Sequence, residues 1–172
     1  MAINKTTLTG AAGEHFVMFR LLELGYIAGL ASRGAPNTDI IVTDMTGRRA
    51  VAIQVKTRLP KGSDDGWHMK PKHAELKELN LYYCFVDLPN DYNVVPLVYI
   101  VPSEIVAEVI GKIHQFWLSL PGKNGRIHKD SNVRRLLPDY SKVLKVDHPL
   151  VKKYSKGWLD QYRENWKILG LN

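Results

Sequence analysis

Three polar side chains stand within or at the start of two largely apolar runs between residues 37 and 58 of this 172-residue chain. Asp39 opens the run DIIVTD, and Gln54 and Lys56 lie inside the run AVAIQVKTR. Residues two apart on a strand point to the same side, so Gln54 and Lys56 share one strand face. An antiparallel pairing through a turn at Gly47 brings the Asp39 carboxylate near that face. The sequence therefore predicts a cluster of a carboxylate, an amide and an ammonium group.

Such a cluster has the donors that metal-assisted hydrolysis of a phosphodiester needs. Mg²⁺ favours oxygen ligands and takes few of them from protein, and the candidate carboxylates are Asp39 and Glu14, early in the first helix. A divalent ion held by Asp39 lowers the pKa of a bound water and neutralises charge on the phosphate. Lys56 can orient that water or stabilise the transition state. Gln54 and the Val55 carbonyl can supply neutral oxygen ligands.

The same residues also allow a purely structural interpretation. Asp39 can cap a turn, Gln54 can satisfy a neighbouring backbone group, and Lys56 can pair with Glu14. Burying such groups without partners is costly, so either interpretation requires that they meet one another or a ligand.

Hydrophobic periodicity indicates the elements that position these groups. Residues 9–24 predict an amphipathic helix with Thr9 as its N-cap and Gly25 as its stop. Residues 39–44 and 50–58 are rich in β-branched side chains and predict an antiparallel pair of strands.

The rest of the chain continues this alternation of helices and strands. We predict a short helix over residues 71–80 and strands over residues 81–89 and 96–102. Ser103 is predicted to cap a helix that reaches residue 117. Aromatic and apolar side chains recur every three or four positions in residues 154–170, which predicts a closing helix whose stripe packs into the core.

The order of these motifs resembles that of a known nuclease family. Glu14 on a first helix, Asp39 at a strand start and Gln54-Val55-Lys56 on the next strand resemble the PD-(D/E)xK nuclease superfamily, in its resolvase-like branch. The resemblance covers roughly residues 10–109. It implies a restriction-endonuclease-like αβββαβ core in which Asp39 binds Mg²⁺, Lys56 assists the attacking water and Glu14 completes the metal shell.

Two positions depart from the family pattern. Thr38 precedes Asp39, so the literal Pro-Asp pair is absent, and Gln54 stands where the family usually has an acid. The second change removes one negative charge from the metal shell. It leaves open whether the fold carries an active enzyme or a domain that binds nucleic acid without cutting it.

The fold class predicted from all of this is α/β, with a mixed central sheet flanked by helices. We expect residues 1–172 to form a single domain. Its nuclease-like core spans about residues 8–116, and a basic, helical and loop-rich C-terminal extension spans about residues 117–172.

The positive charge of the chain is concentrated in that extension. The formal net charge is +7, and residues 121–157 hold ten Lys or Arg against three acids, while the remaining residues are balanced. Clustered positive charge attracts polyanions, so DNA is the expected partner, although a solvated basic surface without a partner is the plainer alternative. The residues predicted to contact nucleic acid are Lys70, Lys72, Lys123, Arg126, Lys129, Arg134 and Arg135.

These observations predict a nuclease that uses Mg²⁺ or Mn²⁺ to hydrolyse DNA, duplex or branched. An inactive nucleic-acid-binding domain of the same fold and a protein-interaction or structural domain are the alternatives. We expect a homodimer, since cutting both strands of a duplex calls for two sites. The absence of a long apolar run and of a signal-peptide core favours a cytoplasmic location without membrane contact.

Overall fold

The computed structural model describes residues 5–59 and 65–171. Helix α1 (Lys5–Glu23) includes Thr9, whose hydroxyl donates to the Lys5 carbonyl one turn back, so the prediction of Thr9 as N-cap is wrong. Gly25 follows the helix with φ of 85°, and its N–H donates to the Leu22 carbonyl. This left-handed conformation is easiest for glycine and ends the helix.

Seven strands are present in the described residues, and five of them form the central sheet. The strands are β1 (Ile27–Leu30), β2 (Ile40–Thr43), β3 (Ala50–Arg58), β4 (Trp67–Met69), β5 (Leu81–Asp87), β6 (Leu97–Pro102) and β7 (Arg134–Leu136). The sheet order is β1-β2-β3-β5-β6, with β3 and β5 parallel and the other neighbours antiparallel. Strands β4 and β7 pair separately as a short antiparallel ribbon.

The central sheet is covered by apolar layers on both faces. Val17 and Leu21 of α1 pack in one cluster with Ile53 and Val55 of β3. On the opposite face, α2 (Ser103–Ser119) packs against Tyr83 and Phe85 of β5, among others. Burial on both sides explains the nearly continuous apolar runs of β3 and β5, and makes polar residues within them conspicuous.

Two of the predicted helices differ from those observed, one in its length and the other in its first residue. The predicted helix over residues 71–80 is a single 3₁₀ turn, Pro71–Ala74. Ser103 is the first residue of α2 rather than its cap, and its buried hydroxyl accepts from the N–H of Glu78 and donates to the Glu78 carbonyl. Tertiary hydrogen bonding has taken the place of local capping at this position.

The predicted closing helix over residues 154–170 is wrong. Two 3₁₀ turns, Asp160–Tyr162 and Trp166–Leu169, flank Glu164, whose φ of 48° breaks any continuous helix. The segment before it holds only short helices, α3 (Ser141–Leu144) and α4 (Pro149–Lys153).

The aromatic stripe of this closing segment packs in the core as expected. Tyr162, Trp166 and Leu169 are buried. Trp166 and Leu169 belong to the cluster that contains Val17 of α1, and Tyr162 belongs to the cluster on the opposite face of the sheet. No helix in the described ranges is long and apolar enough to cross a membrane.

A close approach between α1 and β3 fixes where α1 lies over the sheet. A Cβ added to Gly13 would meet the Thr57 hydroxyl oxygen at 1.9 Å, so only glycine fits there. We expect Gly13→Ala to lower the free energy of unfolding by about 1–3 kcal/mol, because the helix must move away from the strand. Urea denaturation measures this change.

Gly10→Ala is the matched control for that substitution. Gly10 lies on the same helix, and a Cβ there meets nothing within 4 Å. Alanine in a helix interior is favoured over glycine by roughly 0.5–1 kcal/mol, so this variant should be more stable than wild type. Equal effects of the two substitutions would contradict a steric limit at Gly13 set by Thr57.

Candidate functional site

The hairpin of β2 and β3 sets Asp39 beside Gln54. Ile40 pairs with Ile53, and the Asp39 N–H donates to the Ile53 carbonyl at 2.8 Å, so Asp39 extends the register by one position. The Asp39 Oδ2 atom accepts hydrogen bonds from Gln54 Nε2 at 3.1 Å and from the Val55 N–H at 2.7 Å. The carboxylate and the amide therefore meet at the start of β2.

Asp39 and Gln54 each have one side-chain oxygen that accepts no hydrogen bond from the described residues. Gln54 is buried, and its Oε1 has no hydrogen-bond partner within the described part of the chain. Both hydrogen bonds that Asp39 accepts from described residues use Oδ2, which leaves Oδ1 for a further contact. An unsatisfied buried carbonyl costs about 1–3 kcal/mol, which a bound cation or a donor group would recover.

Glu14 and Lys56 complete the cluster electrostatically. Burial raises the pKa of Glu14, and the nearby charge of Asp39 raises it further, while Lys56 acts in the opposite direction. Burial lowers the pKa of Lys56, and Asp39 and Glu14 partly offset this effect. The negative charges of Glu14 and Asp39 thus oppose each other, and the positive charge of Lys56 offsets part of this effect.

The donor set fits a hard divalent cation that keeps part of its water shell. Two carboxylates, Glu14 and Asp39, and the neutral Gln54 oxygen are the oxygen types that Mg²⁺ prefers, and Mg²⁺ usually takes only one or two carboxylates from protein. Across residues 5–59 and 65–171 there is no group of three or more His, Cys, Asp or Glu side chains that could hold a metal ion. The site therefore has few carboxylates, because Gln54 stands where the resembling family usually has an acid.

Lys56 opens onto a groove that also holds Gln54. The groove has a volume of about 430 Å³, and its other lining residues include His68, Lys70, Lys72, His73 and Asn132. Lys70 is exposed, and the Lys72 ammonium donates to Asn37 Oδ1 at 2.7 Å. Of the residues predicted to contact nucleic acid, these two lysines are the ones that line this groove.

His73 is a site residue that no sequence motif indicated. Its Nδ1 lies 2.7 Å from the buried Tyr83 hydroxyl, and β5 places Tyr83 opposite Gln54 of β3. Burial lowers the pKa of His73 to about 4, and the charge of Lys56 contributes in the same direction. The imidazole is therefore neutral at pH 7 and presents a polar group to the groove beside Lys56.

The depressed pKa of His73 predicts a loss of stability in acid. The folded pKa of about 4 lies below the usual 6.5, so the unfolded chain binds the proton more readily between these values. The contribution of neutral His73 to the free energy of unfolding should be fully present above roughly pH 6.5. It should be lost as the pH drops toward about 4. Urea denaturation across this range should show a smaller loss for His73→Gln, whereas the exposed His15→Gln control should follow wild type. Parallel curves for all three proteins would contradict this.

The basic extension divides into exposed and internally bound residues. Arg126, Lys129 and Arg135 are exposed, whereas the side chain of Lys123 lies outside the described part of the chain. Arg134 is buried, and its guanidinium donates to the Ser131 carbonyl at 2.6 Å, so it holds a turn of the protein. We therefore leave Arg134 out of the surface available to a phosphate.

Comparison with known proteins gives a match at the level of structure. No family model matches the chain, and no curated protein sequence matches it. Among solved structures, the chain is similar to the bacterial homing endonuclease I-Ssp6803I, with a TM-score of 0.53 and 14% sequence identity over 97% of this chain and 92% of that chain. The five-stranded mixed sheet packed against helices confirms the predicted fold class: the chain has a restriction-endonuclease-like α/β fold.

Proposed function

We propose that this protein is a metal-dependent nuclease that hydrolyses DNA phosphodiester bonds with Mg²⁺ or Mn²⁺. The observation that carries the proposal is the hydrogen bond of the Asp39 carboxylate with Gln54, whose side-chain oxygen has no partner among the described residues and which lines one groove with Lys56. The likeness in fold to a homing endonuclease agrees with it.

Each residue of the cluster has a proposed role. Asp39, Glu14, the Gln54 oxygen and the Val55 carbonyl would hold the cation. A bound divalent ion supplies an acidified water and neutralises developing charge on the phosphate. Lys56, partly desolvated, would orient the attacking water and donate to the phosphate oxygens.

Cleavage measured with and without metal tests this proposal. Supercoiled plasmid, branched DNA and single-stranded DNA are incubated with Mg²⁺, with Mn²⁺, or with EDTA. The proposal predicts cleavage of at least one substrate with either metal and none with EDTA. Cleavage that persists in EDTA, or a protein inert on every substrate, would overturn it.

A nucleic-acid-binding domain without catalysis is the second candidate, and Gln54 is the observation that favours it. The amide replaces an acid and donates to Asp39, so the cluster carries less negative charge toward a cation. This candidate predicts metal-independent binding to DNA and no cleavage in the same panel.

The lysines of the groove should make DNA binding dependent on salt. The logarithm of affinity for duplex DNA falls with the logarithm of salt concentration by about 0.9 per phosphate contacted. With EDTA present, Lys70→Gln should reduce this slope by roughly 0.9. Lys112→Gln removes an equal charge from an exposed lysine that pairs with Glu108, and it should leave the slope unchanged. Equal slopes in all three proteins would exclude Lys70 from the phosphate-binding surface.

We also propose a homodimer, because two copies would serve the two strands of a duplex. Sedimentation equilibrium with and without duplex DNA gives the mass of the assembly directly. A monomer on duplex DNA would restrict the proposed activity to nicking one strand at a time.

A further inference from the structure

A second cavity lies next to the groove, between the C-terminal half of α2 and the segment that holds β7 and α3. Its volume is about 360 Å³. The residues that line it include apolar and ring side chains, four of them from α2, namely Ile110, Ile113, His114 and Trp117 of α2, together with Leu137 and His68. None of these residues is part of the proposed metal site.

The cavity adjoins the groove of the candidate site. His68 of β4 and Val133, just before β7, line both the cavity and the groove that holds Gln54 and Lys56. A nucleic-acid strand whose phosphate lay in the groove would therefore have the cavity beside it.

The ring side chains of the cavity are held in place by their neighbours. The Trp117 ring stacks on His128 with centroids 4.1 Å apart, and it lies 5.5 Å from the ring of His114. His114 Nε2 in turn contacts Asp130 Oδ1 at 2.7 Å. A wall ordered in this way loses little side-chain entropy when a flat ligand enters.

We propose that this cavity receives one unstacked nucleobase of the strand bound in the groove. Resting on the proposed function, this names the substrate class: DNA with an unpaired nucleotide near the phosphate to be cut. Ligand cavities of roughly 300–1,000 Å³ enclose small molecules, so the volume is sufficient for one base. Aromatic and apolar walls stack on any base, and unstacking costs least for a nucleotide that is already unpaired.

A pair of valine substitutions separates the cavity from its surroundings. Val143 lines the cavity and is 46% exposed, so Val143→Phe fills space without entering the packed core. Val146 is 37% exposed and lies beyond the end of α3, away from the cavity lining, so Val146→Phe adds the same ring elsewhere. Neither residue belongs to the proposed metal site.

The test measures binding by fluorescence anisotropy in EDTA, where metal-dependent cleavage does not interfere. Three duplexes are compared: one with a single unpaired nucleotide, the same duplex with an abasic site at that nucleotide, and a fully paired duplex. Wild type and Val146→Phe should prefer the unpaired base over the abasic site by about tenfold, a ratio typical of one stacking contact. Val143→Phe should lose that preference and keep its affinity for the paired duplex.

The possible failures are distinguishable. Equal affinity of wild type for the base and the abasic site, or a preference that survives Val143→Phe, overturns the base cavity and leaves the nuclease proposal untouched. A protein that prefers the unpaired base but never cleaves supports the base cavity and overturns only the nuclease. No binding to any of the three duplexes overturns the cavity proposal as well.

Discussion

Replacing Asp39 with asparagine is expected to reduce metal-dependent DNA cleavage to below about one thousandth of the wild-type rate. Asparagine keeps an oxygen that can accept from the Val55 N–H, so the hairpin retains its hydrogen bond. What is lost is the negative charge that would hold the cation, and with it the neutralisation of charge on the phosphate. Initial rates of plasmid nicking with Mg²⁺ measure the effect.

Asp91→Asn is the matched control for Asp39→Asn. Asp91 is exposed in the turn between β5 and β6, where its carboxylate accepts from Asn93. This variant should cleave at the wild-type rate, and both variants should unfold at nearly the wild-type urea concentration. An Asp39→Asn protein that cleaves normally would contradict the assignment of Asp39 as the metal ligand.

Replacing Lys56 with methionine should slow cleavage by roughly 10²–10⁴-fold, the usual range for loss of a positioned proton-transfer group. Methionine has a similar length and no charge. Because Lys56 is partly desolvated, the substitution should not lower the free energy of unfolding. Metal affinity should be retained or increased, because a neighbouring positive charge has been removed. This combination of a slow rate and intact metal binding distinguishes Lys56 from Asp39.

Lys77→Met provides the control, since Lys77 is exposed and lies outside the groove. Its cleavage rate should equal that of wild type. If Lys56→Met and Lys77→Met cleaved equally fast, Lys56 would have only a structural role.

The central hairpin could be predicted from sequence because its geometry is local. Strand alternation and a short turn at Gly47 determine which residues face each other, and the observed register sets Asp39 beside Gln54 as expected. The fold class followed from the alternation of helix and strand patterns. Both inferences need only contacts between neighbouring segments.

The groove beside this hairpin depends on contacts that no local pattern encodes. Strands β4 and β7 have three residues each and pair across more than sixty positions, which brings His68 and Val133 to the site. His73 reaches the groove through its contact with Tyr83, which the parallel pairing of β3 and β5 sets opposite Gln54. A histidine next to lysines in a polar loop carries no signal of its own in the sequence.

The closing segment shows tertiary contacts overriding a helical pattern. The Glu164 carboxylate accepts from the Val98 N–H at 2.9 Å and from Trp166 Nε1 at 3.0 Å, and these bonds hold the break in the helix. The aromatic spacing correctly indicated burial but not the backbone that achieves it. In this segment the hydrophobic periodicity predicted which side chains are buried, but not the secondary structure.

The most direct test of the central claim is a crystal of the wild-type protein grown with Mn²⁺ and examined by anomalous diffraction. We expect an anomalous peak beside the Asp39 carboxylate, with the Gln54 Oε1 atom at roughly 2.0–2.2 Å from it. Lys56 should face the same ion across the groove. A Gln54 oxygen that is hydrogen-bonded inside the protein, with no ion between it and Asp39, would contradict the account.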